Sequence, residues 1–181
     1  MQQLRGTPLK RFLRDWRREH PQTRDIVLVL QSVSYPVNVG SLFRIADAVN
    51  VRHMYLCGAT PTPPNKTIMK VGRNKDTDVR WSYEKNAEDV LVRLRDEGYH
   101  ISALEITDQS LPYYEVEYPE RLALVLGNED HGVTRGALAL CDSSVFVPMY
   151  GKGKSLNVHV SAAVVLYHVI HLPDEGDLPL E

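Results

Sequence analysis

Cysteine is scarce in this sequence, which holds only Cys57 and Cys141 among its 181 residues. The two lie far apart, form no C-x-x-C pair and each adjoin an apolar run, so a disulfide framework and a zinc motif are both disfavoured. We expect two buried, chemically inert thiols. His168 and His171 lie three residues apart near the end of the chain, but no third ligand accompanies them. A structural zinc site needs four ligands, so we predict no metal site.

Long apolar runs and a strong net charge are also absent. No run approaches the roughly 20 apolar residues of a membrane-spanning helix, and residues 1–20 lack the apolar segment of a signal peptide. We therefore expect a cytoplasmic protein without a membrane partner. The formal net charge of −2 gives no global signature of a nucleic-acid-binding protein, so local basic patches would have to hold any RNA.

The glycine patterns of common nucleotide-binding folds are missing as well. No G-x-G-x-x-G follows the first predicted strand, residues 25–33, and the sequence has no P-loop. Both absences disfavour a small-molecule α/β enzyme that uses a dinucleotide or a nucleoside triphosphate.

Strands and helices alternate through the middle of the chain. Apolar, β-branched runs are typical of buried parallel strands, and apolar residues three or four apart are typical of helices. The predicted strands are residues 25–33, 53–57, 99–105, 121–126 and 145–147, and the predicted helices include residues 87–97, 134–140 and 158–170. This alternation predicts one α/β domain over residues 21–172, with a mainly parallel sheet flanked by helices.

Three other segments are charged. Residues 1–20 form a short basic extension with helical periodicity over residues 8–20; its basic face is either solvated, an arm for RNA phosphates, or a docking helix for a partner subunit. The predicted loop at residues 58–78 carries Lys66, Lys70 and Arg73, which either contact phosphates or are solvated. Residues 173–181 are an acidic tail that we expect to be mobile.

Three polar loops with glycines follow predicted strands. They are residues 36–40, with an arginine one turn into the following helix, then residues 127–132 and residues 151–157. Loops at the carboxyl ends of parallel strands gather at one edge of the sheet, where ligands bind. Each loop alone can be explained as a turn. Together they bring an unusual polar set to that edge: Asn38, Arg44, Glu129, Ser155 and Asn157.

The same loops carry a family resemblance. N-V-G-S-L-F-R at residues 38–44, L-V-L-G-N-E-D-H-G-V at residues 124–133, and V-P-M followed by S-L-N-V within residues 147–158 resemble, in order, the three motifs of the SpoU/TrmH branch of the SPOUT methyltransferases. The resemblance implies a C-terminal trefoil knot and a homodimer. Topology rules alone predict an ordinary doubly wound sheet, because threaded chains are rare.

The resemblance also implies S-adenosylmethionine (S-adenosyl-L-methionine) as the cofactor. By motif position, the backbone at Gly127, Val147 and Leu156 is expected to surround the adenine and ribose, and Met149 and Ser155 complete the cofactor-binding set. The apolar side chains of Val147, Met149 and Leu156 suit that purpose.

The implied reaction is methyl transfer to a ribose 2′-hydroxyl of RNA. By resemblance, Arg44 activates the hydroxyl, Asn38 and Glu129 fix that arrangement, and Ser155 and Asn157 complete the site. Because an arginine rarely gives up its proton, we interpret Arg44 as an orienting and charge-stabilising group, with an RNA phosphate as candidate proton acceptor. The alternative is a structural ion pair between Arg44 and Glu129.

As the substrate, tRNA is favoured over rRNA. A catalytically silent RNA-binding module of the same fold is the alternative function, and the intact polar set argues against it. His159 stands where relatives often have a small residue. It predicts either a contact to RNA or packing at the dimer seam.

Overall fold

A parallel sheet lies at the centre of the structure, a computed structural model that describes residues 1–173. Within that range the strands are β1 Asp25–Gln31, β2 His53–Cys57, β3 Trp81–Glu84, β4 His100–Leu104, β5 Leu111–Pro112, β6 Arg121–Leu126 and β7 Ser143–Phe146. Their order across the sheet is β3-β2-β1-β6-β4-β7-β5, and each neighbouring pair is parallel. The predicted α/β class with a parallel sheet is confirmed.

Helices cover both faces of this sheet. They are α1 Gly6–Glu19, α2 Pro36–Ala48, α3 Lys66–Gly72, α4 Ala87–Asp96, α5 Arg135–Leu138 and α6 Val158–Val169, and a 3-10 helix lies at Lys75–Thr77. Because successive strand residues point to opposite faces, Leu28 and Leu30 of β1 pack with α2, α3 and α6, whereas Val27 and Val29 pack with α4 and α5. Burial on both faces explains why β1 is a nearly continuous apolar run.

Helices α2 and α3 approach each other closely at Gly40. A Cβ on Gly40 would lie 2.8 Å from the backbone oxygen of Ile68 and 3.2 Å from the backbone nitrogen of Gly72. Only a residue without a side chain fits there. The contact fixes α2, which carries Asn38 and Arg44, against its neighbour.

Four elements were not predicted: α3, β3, the two-residue strand β5 and the 3-10 helix at Lys75–Thr77. The segment 58–78, predicted to be a loop, contains α3, because Asn65 caps the helix by accepting hydrogen bonds from the backbone N–H groups of Thr67 and Ile68 at 2.9 and 3.2 Å. Strand β3 extends the sheet beside β2. Its four residues are not fully buried, so they lack a strong apolar pattern.

The two ends of the described chain differ in how they are attached. Helix α1 confirms the predicted helix at residues 8–20, but it has no buried residue. The other end is tied down, because Arg24 donates from Nη1 to the carbonyl oxygen of Tyr118 at 2.7 Å and from Nη2 to that of Pro173 at 2.9 Å. Beyond Pro173, the predicted acidic tail lies outside the described residues.

Both cysteines are free thiols, with Cys57 buried and Cys141 half-buried. Burial is the main cause that raises the pKa of each thiol to about 12. The thiols therefore stay protonated at neutral pH and react poorly, since the thiolate is the nucleophile. Across residues 1–173, no helix combines the length and the apolar character needed to cross a membrane.

Candidate active site

Loops that follow β1, β6, β4 and β7 meet at the carboxyl edge of the sheet. These four strands are consecutive neighbours, so the segments after them lie side by side. The predicted convergence of three loops is observed, and a fourth segment, residues 105–106 after β4, joins them.

The loop after β6 forms a tight turn against the loop after β1. Asn128 and Gly132 exchange two backbone hydrogen bonds of 3.2 and 2.8 Å. The Asn128 side chain donates to the carbonyl oxygen of Ser32 at 2.8 Å, which joins the two loops. A side chain on Gly127 would collide with the backbone of Gly132. Glycine at position 127 is therefore a steric requirement of this turn.

The carboxylate of Glu129 lies at the start of α2 and accepts three hydrogen bonds. The backbone N–H groups of Ser34 and Tyr35 donate at 2.8 and 3.3 Å, and Asn38 Nδ2 donates at 2.7 Å. Burial by itself raises the pKa of Glu129, but these hydrogen bonds together hold it below its ordinary value. Glu129 is thus an ionised carboxylate at neutral pH, held by neutral donors.

Asn38 lies in the first turn of α2, not in a loop as predicted, because the helix begins at Pro36. It is buried, with 8% of its surface exposed. While its Nδ2 donates to Glu129, its Oδ1 lies 2.9 Å from Nδ1 of His159 at the start of α6. His159 is thereby part of the site's internal hydrogen bonding, which the sequence did not predict.

Arg44 is exposed, two turns into α2 and not one turn as predicted. Its guanidinium makes no hydrogen bond or ion pair with the residues that the structure describes. The alternative of a structural ion pair with Glu129 is therefore wrong. All five N–H donors of Arg44 are available to a ligand.

A cavity of about 260 Å³ opens at this edge. Six predicted site residues line it: Gly127, Glu129, Val147, Ser155, Leu156 and Asn157. Asn38, Arg44 and Met149 do not form its walls, and the Met149 side chain lies beside Gly153 instead. The cavity thus combines residues from the second and third motifs, and Asn38 reaches it through Glu129.

Glu105 is a wall residue that sequence reasoning missed. Its carboxylate accepts hydrogen bonds of 2.9 Å from the backbone N–H groups of Val133 and Ile106. The available signal was its position at the end of a predicted strand, where polar residues reach the ligand-binding edge.

The third-motif segment leaves polar side chains open to solvent. Ser155 and Asn157 are exposed, and Asn157 stands at the N-cap of α6 without a capping hydrogen bond from its side chain. A capping asparagine normally accepts a hydrogen bond from the first helical turn. Here the amide remains available to a ligand.

The predicted phosphate contacts, Lys66, Lys70 and Arg73, are exposed on and directly after α3. Since α3 packs on α2, this basic surface belongs to the same face of the sheet as Arg44. Residues 1–173 contain no group of three or more side chains arranged to hold a metal ion.

Residues 25–167 match the model of the SpoU rRNA Methylase family. The chain belongs to this SpoU family. The resemblance that the three motifs predicted is therefore confirmed, and the match covers the sheet, the cavity and most of α6.

Named relatives of this SpoU chain modify RNA. It is 29% identical over 143 residues to the tRNA (guanosine(18)-2'-O)-methyltransferase of Escherichia coli (strain K12). That alignment covers 79% of this chain and 62% of the E. coli protein. It is 30% identical over 143 residues to the 23S rRNA (guanosine(2553)-2'-O)-methyltransferase RlmP of Bacillus subtilis (strain 168). That alignment covers 79% of this chain and 57% of the B. subtilis protein. The chain thus spans less than two thirds of either relative.

A solved structure shows the same fold. The A. aeolicus TrmH/SpoU tRNA modifying enzyme superposes with a TM-score of 0.74 at 27% identity, over 90% of this chain and 82% of that one. The SpoU fold therefore extends through nearly the whole described chain.

Proposed function

We propose that this SpoU chain transfers a methyl group from S-adenosylmethionine to a ribose 2′-hydroxyl of RNA. The observation that carries the proposal is the meeting of the motifs at one edge, where Glu129 lines the cavity and accepts a 2.7 Å hydrogen bond from Asn38. The E. coli and B. subtilis relatives are both named 2'-O-methyltransferases. We favour tRNA over rRNA, since the A. aeolicus tRNA modifying enzyme matches over 82% of its own length.

The cavity walls fit the chemistry of S-adenosylmethionine. Val147 and Leu156 offer apolar surface to the adenine, and the side-chain-free turn at Gly127 lets the backbone approach the ligand. Ser155 adds a hydroxyl, and Met149 is a further contact predicted from its motif position. When bound, the cofactor supplies an electrophilic methyl group.

Arg44 is the residue that we assign to the 2′-hydroxyl. A guanidinium stays protonated at neutral pH, so Arg44 orients the hydroxyl by donating hydrogen bonds and stabilises the negative charge that develops on its oxygen. An RNA phosphate takes the proton. Ser155 and Asn157, exposed beside the cavity, complete the surroundings of the hydroxyl.

Glu129 and Asn38 hold this arrangement in place. The Glu129 carboxylate ties the start of α2 to the cavity wall through its three hydrogen bonds. This link sets where Arg44 stands relative to the cavity, because both lie on or against α2. A displacement of about 1 Å at a reacting group costs roughly 100-fold in rate.

RNA capture relies on basic patches outside the cavity. Lys66, Lys70 and Arg73 form one patch on the face that carries Arg44. Residues 1–20 form another, with six basic and two acidic side chains in a chain whose formal net charge is −2. Contacts to phosphates by lysine and arginine are the main source of affinity for RNA and weaken with salt.

We propose a homodimer as the working unit. Val160 and Tyr167 are 37% and 46% exposed on α6, which leaves apolar surface available to a second copy. A specific interface buries about 1,000 Å² or more. Light scattering at micromolar concentration is expected to give the mass of a dimer. A monomer with full activity would contradict the dimer.

Two further expectations complete the proposal. Membership of the SpoU family supports the predicted trefoil knot, in which the C-terminal segment threads through a loop. The free thiols Cys57 and Cys141 fit a reducing compartment, and we propose that the protein works in the cytoplasm.

The direct test is incubation of the protein with methyl-labelled S-adenosylmethionine and total RNA, followed by mapping of the labelled nucleoside. We expect a single 2′-O-methylated nucleoside in tRNA. Label on a base would disprove the reaction class. Cofactor and RNA binding without transfer would support the catalytically silent RNA-binding module instead.

A further inference from the structure

His159 makes a side-chain contact between α6 and α2 next to the proposed site. Its Nδ1 lies 2.9 Å from Oδ1 of Asn38, which is buried, and the His159 side chain is half-buried. The contact joins residues that are far apart in sequence, one in the first motif and one two residues after Asn157 of the third.

The direction of this hydrogen bond follows from its neighbours. Glu129 is an ionised carboxylate and can only accept, so the nitrogen of the Asn38 amide faces Glu129, 2.7 Å away. The amide oxygen therefore faces His159, and the imidazole donates from Nδ1. Burial lowers the pKa of His159, which favours the neutral ring at pH 7. The ring is thus held as the tautomer with its proton on Nδ1.

We propose that His159 is a positioning residue for methyl transfer: its Nδ1–H fixes the Asn38 amide in the orientation that donates to Glu129. This inference rests on the proposed methyltransferase function. Without the imidazole donor, the amide can rotate by half a turn and point its oxygen at the Glu129 carboxylate. That orientation places two acceptors against each other and breaks the link between Glu129 and α2.

The contact also couples the third-motif segment to the helix that carries Arg44. His159 is the second residue of α6, and Asn157 caps the same helix. A hydrogen-bond donor at position 159 therefore helps to set how far residues 155–157 lie from α2. A small residue at this position leaves the Asn38 oxygen without this donor.

The test compares His159→Leu with His159→Asn. Leucine removes the donor, whereas asparagine offers an amide N–H close to the position of Nδ1. In single-turnover methyl transfer with saturating cofactor and RNA, we expect a roughly tenfold loss for His159→Leu and a rate within about threefold of wild type for His159→Asn. Cofactor affinity by calorimetry is expected to stay unchanged, since His159 does not line the cavity.

His171→Leu is the matched control. The His171 ring also uses Nδ1, donating to the carbonyl oxygen of Tyr167 at 2.6 Å, but it lies beyond the other end of α6. This variant is expected to transfer methyl groups at the wild-type rate. Equal losses in His159→Leu and His159→Asn would overturn the inference, since they would indicate packing instead of donation. A wild-type rate in His159→Leu would overturn it as well.

A measurement without turnover separates this inference from the proposed function. Nitrogen NMR of the His159 ring is expected to show the Nδ1–H tautomer in the wild-type protein and its loss in Asn38→Ala. An Nε2–H tautomer in the wild type overturns the inference. If no RNA is methylated but the tautomer responds to Asn38→Ala, the contact stands and the methyltransferase proposal fails. The same NMR test decides the matter if His159→Leu does not fold.

Discussion

Asp25 and Glu129 are carboxylates at opposite edges of the same sheet, and they are held in different ways. Asp25, at the amino edge, contacts Arg52 at 2.6 Å and Arg121 at 3.4 Å and accepts a 2.8 Å hydrogen bond from the Tyr99 hydroxyl. Glu129, at the carboxyl edge, is held by two backbone N–H groups and an amide, and no cation of residues 1–173 pairs with it.

We interpret Asp25 as a structural charge and Glu129 as the functional charge of the proposed site. Two guanidinium groups lie beside Asp25, so its negative charge is compensated at the amino edge of the sheet. Neutral donors fix the geometry of Glu129 but leave its negative charge uncompensated beside the cavity. A cationic ligand benefits from such a charge, and Arg44 stays free for the substrate because it is not engaged as a counterion.

Loss of the Arg44 guanidinium is expected to have the largest effect. Arg44→Ala is predicted to lower single-turnover methyl transfer at least about 100-fold, equivalent to about 2.7 kcal/mol of transition-state stabilisation. Calorimetry and thermal melting are expected to show unchanged cofactor affinity and stability, because Arg44 has no partner among the described residues. Arg44→Lys is expected to rescue little, since an ammonium lacks the planar fork. A wild-type rate would refute the role of Arg44.

Removal of the functional charge is expected to come next. In Glu129→Gln, an amide N–H₂ faces N–H groups that donate hydrogen bonds to the carboxylate of the wild type. We expect a roughly tenfold slower methyl transfer and about 1–2 kcal/mol lower stability in urea. Asp130→Asn, an exposed neighbour in the same loop, serves as the control. Equal effects of both variants would mean that only loop charge matters.

The comparison of the wild type with Glu129→Gln also predicts how stability depends on pH. Because hydrogen bonds hold the pKa of Glu129 below its ordinary value of 4.5, its ionised form stabilises the fold fully above that pH. This contribution is lost as the pH falls through the folded-state pKa. We expect urea titrations of the wild type to show the loss on acidification, and the difference from Glu129→Gln to shrink below pH 4.5. A constant difference between the two proteins would contradict the ionised state.

A new carboxylate at the cavity wall, introduced where no N–H groups can donate to it, is expected to have a smaller effect than the changes at Arg44 and Glu129. Leu156→Asp places a charge against the proposed adenine surface, and we expect cofactor binding to weaken about fivefold because Leu156 is only partly buried. Calorimetry measures this change. Val92→Asp, an exposed apolar residue on α4, is expected to leave the affinity unchanged. Unaltered binding in Leu156→Asp would exclude the adenine from that wall.

Loss of the structural charge is expected to have the smallest effect. Asp25→Asn removes ion pairs whose arginines are about half exposed, so we expect at most about 1 kcal/mol of lost stability in urea. Methyl transfer is expected to remain at the wild-type rate. A drop in transfer comparable to that of Glu129→Gln would remove the distinction between the two edges.

The sequence predicted the elements that are strongly apolar and missed those that are not. Strands β1 and β6 are buried runs, and both were predicted almost to the residue. Helix α3 was missed because Ile68 and Gly72 alone are buried in it, so no apolar stripe marks it. The insertion of β6 between β1 and β4 was not predictable, because long-range pairing depends on the whole chain.

The candidate site shows the same limit. The motifs predicted Asn38, Glu129 and the cavity wall, since these residues recur in a recognisable order. Their partners could not be read from the sequence: Glu129 is held by backbone N–H groups, which every residue type offers. The contact of Asn38 with His159 depends on the packing of α6 against α2.

The hydrogen bond from Arg24 to the carbonyl oxygen of Pro173 bears on how the protein can be attached to a surface. Helix α6 starts at the cavity with Val158. It spans about 18 Å at 1.5 Å per residue and ends near the Arg24–Pro173 hydrogen bond. A tether joined after Pro173 would therefore leave from the amino edge of the sheet. On a biosensor chip, that orientation would present the cavity to the flowing solution and keep the linker away from bound RNA.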